Sequence, residues 1–138
     1  MKYGSLMIEK KEYVYLKRML NVSGYVGDFE TQKSLQKLTE ELKLAHILDE
    51  KDMPQDVVRF NSVVTIITES GLERKLQVVK PSEKNLLQNR ISILTSMGAA
   101  LFGQSTEDKI KWKFPKGIET ISVLHVEQKE PSDMDILI

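Results

Sequence analysis

From Lys10 to Asn21 the apolar residues Tyr13, Leu16 and Leu20 recur at i, i+3 and i+7, the spacing of one helix face. Val22 to Phe29 contains Gly24, Gly27 and Asp28, a turn-forming composition that should end that helix. A second stripe, Leu35, Leu38, Leu42 and Ala45, predicts a helix over Glu30–Leu48, with Lys33, Lys37, Glu40, Glu41 and Lys43 on its polar side. Two amphipathic helices joined by a short loop bury their stripes against each other or a neighbour, so an antiparallel helical hairpin is expected. Its second arm would run about 27 Å. Asp49, Glu50, Asp52 and Pro54 then break the pattern.

After Pro54 the period changes from helical to alternating. Val63–Thr68 predicts a strand, and Ser70-Gly71 a reversal into a second strand over Arg74–Val79. Ile91–Ile93 predicts a short strand and Ser96–Phe102 a small helix stopped by Gly103. Lys109–Phe114 alternates strictly, with Ile110, Trp112 and Phe114 on one face and Lys109, Lys111 and Lys113 on the other. Pro115-Lys116-Gly117 turns the chain into a last strand, Ile118–Val126. The fold class is therefore α+β, a short N-terminal helical hairpin followed by an antiparallel sheet with one short helix. The expected organisation is a hairpin over 1–56, a sheet domain over 57–129 and a loosely held acidic tail over 130–138.

Composition narrows the function classes. The 138 residues carry 20 basic and 20 acidic side chains, so a generally polycationic nucleic-acid coat is excluded. With no cysteine, disulfides, thiolate metal sites and cysteine nucleophiles are excluded too. The longest uncharged run, Ile91–Thr106, is too short and too polar to span a bilayer, and Lys2–Lys11 holds no secretory apolar core. A soluble, cytoplasmic protein with no membrane partner is expected.

The common catalytic patterns are missing. The glycines form neither a phosphate loop nor a dinucleotide fingerprint, and no Gly-x-Ser-x-Gly elbow is present. His46 and His125 lie on different elements without a ligand cluster. Asp49, Glu50 and Asp52 suit a solvated helix exit better than a cation site, because Lys51 sits among them. The row Lys109, Lys111, Lys113 either meets phosphate or an acidic partner, or blunts an exposed sheet edge. Asp28 and Glu30, beside Gly27 at the expected hairpin tip, suit helix capping and the helix dipole.

The segment ISILTSMGAALFG (91–103), followed by Glu107-Asp108 and the strand pair Lys109–Phe114 and Ile118–Val126, resembles the C-terminal domain of Gre-type transcription elongation factors. With MPQDVVRFNSVVTI (Met53–Ile66) and the short hairpin before it, the chain looks most like the regulator of nucleoside diphosphate kinase family, a short-hairpin relative of the Gre factors. That resemblance implies an FKBP-like C-terminal domain, a curved antiparallel sheet packed on the Ser96–Phe102 helix. It also implies a partner, RNA polymerase, with this domain on the rim of the secondary channel and the hairpin pointing inward. Cleavage factors of the family present an acidic pair at the tip that holds magnesium in the polymerase active site. Here Asp28 matches the first acid, Thr31 stands at the second, and Glu30 projects elsewhere. The polymerase-contacting Asp-Ser-Pro of the Gre factors aligns with Leu94, Thr95 and Ser96, without the aspartate or the proline.

The leading expectation is a non-enzymatic regulator bound to RNA polymerase, with Leu94, Thr95, Ser96 and Met97 as docking residues and Asp28 and Glu30 at the tip. It needs no cofactor, metal or small-molecule substrate, and meets nucleic acid only through the polymerase. The alternatives are a weak cleavage factor using Asp28 and Glu30, a peptidyl-prolyl isomerase using Phe60, Phe102, Trp112 and Phe114, and an interaction module with another partner.

Overall fold

A computed structural model describes residues 1–23, 27–114 and 117–129. The expected turn around 24–26, the turn at 115–116 and the tail 130–138 lie outside the described residues. The chain is a mixture of helix and sheet, and the order of elements is β1 (Met7–Glu9), α1 (Lys10–Ser23), α2 (Phe29–Lys43), β2 (His46–Leu48), β3 (Val63–Thr68), β4 (Glu73–Val79), β5 (Arg90–Ser92), α3 (Ser96–Leu101), β6 (Lys109–Phe114) and β7 (Gly117–Glu127).

The second helix stops at Lys43, five residues before the expected end. His46–Leu48 instead pairs in parallel with Met7–Glu9, setting Ile8 opposite Ile47, and His46 N–H donates to Leu6 O at 2.8 Å. A partner strand from the N-terminus overrides a local helical pattern here. Ala45, read as part of the helical stripe, therefore lies beyond the helix.

Both long helices begin on an acidic cap. The Glu9 carboxylate accepts from the N–H groups of Lys11 and Glu12, at 3.0 and 3.1 Å, and Asp28 accepts from Thr31 N–H at 2.8 Å. Helix α1 buries Tyr15, Leu16 and Leu20, and α2 buries Leu35, Leu38 and Leu42. Tyr13, expected on the inner face of α1, is only partly buried, and Tyr15 takes the inner place.

The five-stranded sheet runs β5-β4-β3-β7-β6, with β5 parallel to β4 and the other pairs antiparallel. Opposite β3 the register of β7 slips between Thr65 and Ile66, leaving Leu124 as an extra residue. A bulge of this kind bends the strand, and the sheet curls. One core joins residues from both sides of Pro54, from Leu6 and Ile8 through α1 and α2 to Val123 and Val126. At its centre Tyr15 meets Phe60 edge-on at 5.4 Å, and Phe60 meets Phe102 at 5.2 Å. Gly98 is required by contact: a Cβ there would run into the carbonyl oxygen of Ser92. Among the described residues no helix is long and apolar enough to cross a membrane.

Candidate functional site

Ile93, Leu94 and Thr95 connect β5 to α3, Ser96 and Met97 open that helix, and Ser92 fixes the path of the connection. Its hydroxyl accepts from Leu94 N–H at 3.0 Å, and its carbonyl accepts from the Thr95 hydroxyl at 2.6 Å and Thr95 N–H at 3.0 Å. Thr95 Oγ1 in turn accepts from Gly98 N–H at 3.1 Å, which makes Thr95 the N-cap of α3. The Ser96 hydroxyl is hydrogen-bonded to the Ser34 hydroxyl of α2 at 3.0 Å. Leu94 and Met97 pack half-buried against the core, so only Thr95 of the four expected docking residues is fully exposed, and its side chain already serves a cap.

More apolar surface lies just before β5. The single-turn helix Leu86–Gln88 leaves Leu86 76% and Leu87 98% exposed. Asn85 Oδ1 accepts from Leu87 N–H at 3.1 Å, and Asn89 closes the turn at φ 56°. Sequence reasoning missed this pair. The available signal was two leucines between the turn formers Asn85 and Asn89, where no helix or strand period could bury them.

At the start of α2 the two candidate acids do different work. Asp28 is exposed, and the Thr31 N–H holds its carboxyl below the usual carboxylate range. Glu30 lies 3.7 Å from the Lys113 ammonium. Among the described residues, no group of three or more histidine, cysteine, aspartate or glutamate side chains could hold a metal. The acids after α2 are likewise separated, with Asp49 on Lys10 at 2.6 Å and Glu50 on Arg59 at 2.7 Å. His46 and His125 are exposed on separate strands. Phe60 and Phe102 are core residues, 2% and 1% exposed, and do not line an open pocket.

A second feature escaped the sequence. Arg59 bridges Glu12 of α1 and Glu50 of the turn after β2, and its own side chain is only 11% exposed. Glu12 also accepts weakly from Phe60 N–H at 3.4 Å. Burial pushes the Glu12 carboxyl up, against the pull of Arg59, while Arg59 holds the Glu50 carboxyl down. Helix α1, the turn and the approach to β3 are thereby tied at one point.

Comparison with known proteins gives this arrangement a family. The model for the C-terminal part of the transcription elongation factors GreA/GreB matches residues 53–128, which take in β3 to β7 and α3. The transcription elongation factor GreA of Syntrophus aciditrophicus (strain SB) is 34% identical over 93 residues, covering 67% of this chain and 58% of that protein, so the match spans less than two thirds of that relative. The regulator of nucleoside diphosphate kinase of Escherichia coli (strain K12) is 32% identical over 103 residues, 73% of this chain and 76% of that protein. A solved structure, the prokaryotic transcription elongation factor GreA/GreB from Nitrosomonas europaea, superposes with a TM-score of 0.76 at 28% identity, over 91% of this chain and 99% of that one. Fold and sequence agree, and the chain belongs to the GreA/GreB family of transcription elongation factors.

Proposed function

We infer that this chain is an RNA polymerase-binding regulator of transcription, acting at the polymerase's secondary channel without stimulating RNA cleavage. Family membership supports the polymerase as partner. In this reading residues 57–129 are an FKBP-like docking domain, residues 1–56 a short helical hairpin, and 130–138 an acidic tail. The protein works in the cytoplasm with no cofactor of its own. Docking falls to Leu94, Thr95, Ser96 and Met97, and the exposed Leu86 and Leu87, on the other side of β5 in the chain, supply further apolar anchors.

The observation that carries the absence of cleavage is the state of the two acids. Holding a magnesium ion takes carboxylate oxygens free to converge on it. Asp28 instead caps α2, Glu30 faces Lys113, and residue 31 is a threonine. Helices of 14 and 15 residues also give an arm of about 22 Å, shorter than the 27 Å expected from the sequence pattern.

The test is a transcript-cleavage assay on stalled, backtracked complexes. Added alone, the chain is expected to release no cleaved RNA. Added with a Gre factor, it should reduce that factor's cleavage in proportion to its concentration. Cleavage by the chain alone that Asp28→Asn abolishes would overturn this reading in favour of a weak cleavage factor.

A further inference from the structure

A groove of about 890 Å³ opens between β6 and α2. All five residues from Lys109 to Lys113 line it. Neighbouring side chains of a strand point to opposite faces, so a groove that touches every one of them runs along the edge of β6 and not over a face. That edge is the outer one of the sheet, and among the described residues no strand pairs with it. Its backbone groups have a phase. The ladder with β7 is antiparallel, so hydrogen-bonded and non-bonded pairs alternate, and Val123 N–H donates to Asp108 O at 2.9 Å. Counted in twos from Asp108, the backbone groups of Ile110 and Trp112 turn toward β7, and those of Lys109, Lys111 and Lys113 turn toward the groove.

The length of the groove suits a short extended segment. Lys109 to Lys113 spans about 13 Å at the rise of a strand, and Glu30 to Glu41 on the opposite wall about 16 Å at the rise of a helix. Its charge is positive. Lys33 and Lys37 of α2 join the three lysines of β6, against the carboxylates of Glu30 and Glu41. Among the described residues Lys33 and Lys109 form no ion pair, and the Glu30–Lys113 contact, 3.7 Å between exposed side chains, opens at little cost. The lysines of β6 are exposed, while Ile110 and Trp112, on the other face of the strand, pack half-buried against the core.

These features select one kind of occupant. N–H and C=O groups turned outward on alternate residues call for another peptide backbone, which a phosphate chain does not supply. Lysines two residues apart recur every 6.7 Å or about that, the repeat of the side chains on one face of an added strand. Acids at that repeat meet the lysines, and the residues between them fall beside Ile110 and Trp112, where apolar side chains fit. We propose that the groove takes an extended segment of a partner protein, acidic and apolar residues in alternation, as a sixth strand on β6. This does not depend on the polymerase reading.

A short fluorescein-labelled peptide of alternating glutamate and valine, titrated against the full chain, tests it. The peptide should bind saturably, change the emission of Trp112, the chain's one tryptophan, and slow amide exchange at Lys109, Lys111 and Lys113. A lysine–valine peptide should not bind. Lys109→Glu with Lys111→Glu should weaken binding of the glutamate–valine peptide about tenfold or more and admit the lysine–valine peptide instead. Both positions are exposed, so circular dichroism should report an intact fold. Methylating alternate backbone nitrogens of the peptide separates strand addition from charge alone. One set of its N–H groups faces β6 and the other faces away, so methylation in one phase should abolish binding and in the other spare it. No saturable binding at millimolar peptide, or binding indifferent to the charge reversal or to the phase of methylation, would overturn the proposal. Equal binding of an oligouridylate of matched charge would overturn it in favour of phosphate recognition.

Discussion

Arg59→Met tests most sharply what holds the helices on the sheet. The substitution keeps most of the apolar stem and removes the guanidinium from Glu12, which is 4% exposed, and from Glu50, which is 62% exposed. The two losses differ in size. The Glu50 pair is half in water and contributes little. Glu12 is left as a buried carboxylate whose remaining partner is a long contact from Phe60 N–H at 3.4 Å. Breaking a buried pair by removing one member costs about 3–5 kcal/mol, a large share of the roughly 5–15 kcal/mol that holds a domain of this size. Urea unfolding at pH 7 should therefore show a loss of about 3–5 kcal/mol.

The sign of the pH dependence makes the test specific. Burial already raises the Glu12 carboxyl in the folded protein, and loss of Arg59 raises it further. A carboxyl whose folded pKa lies above its unfolded value favours folding as it takes up a proton. The deficit of the variant should thus shrink as pH falls from 7 through the raised value. Glu12→Gln with Arg59→Met should recover most of the loss at pH 7. A loss under about 1 kcal/mol, or a deficit that does not change between pH 7 and 5, would refute the argument.

Other outcomes follow from the same contacts. Gly98→Ala forces a methyl group onto the Ser92 carbonyl and should cost about 1–3 kcal/mol by urea unfolding. Thr95→Ala removes the α3 cap and should cost about 1 kcal/mol; any loss of polymerase binding by that variant must be set against Leu87→Ser, which removes an exposed leucine and should leave stability unchanged. Asp28→Ala should lower the melting temperature, whereas Asp28→Asn retains the cap. Because the Asp28 carboxyl is held low, its contribution is present above the ordinary aspartate pKa and is lost as pH falls through the folded value, which an NMR titration would follow.

The elements most legible in the sequence were those that carry their own period. Strand β6 has the predicted limits because Lys109–Phe114 alternates without interruption, and β3 matches its β-branched run. Helix α3 was legible from Ser96 and the small residues after it. The pairing of Met7–Glu9 with His46–Leu48 was not, because three-residue strands whose partners lie 39 positions apart carry no local signal. The Glu12–Arg59–Glu50 bridge was hidden for a related reason. In sequence its members look like ordinary charges of a solvated helix and a turn, and only the fold of α1 against the approach to β3 buries Glu12 and Arg59 together. At the candidate docking segment the residues were visible but their engagement was not. Thr95 spends its hydroxyl locally on Ser92 and Gly98, and Ser96 spends its own on Ser34, a contact that depends on how α2 packs against α3.

Direct binding to purified core RNA polymerase from the same source tests the proposed partner. Labelled chain should bind saturably, and a full-length Gre factor should displace it, since the two would compete for one site on the polymerase. Leu87→Ser should weaken that binding while leaving the fold intact. Absence of binding at micromolar concentrations, or binding that the Gre factor does not displace, would rule out a shared site at the secondary channel.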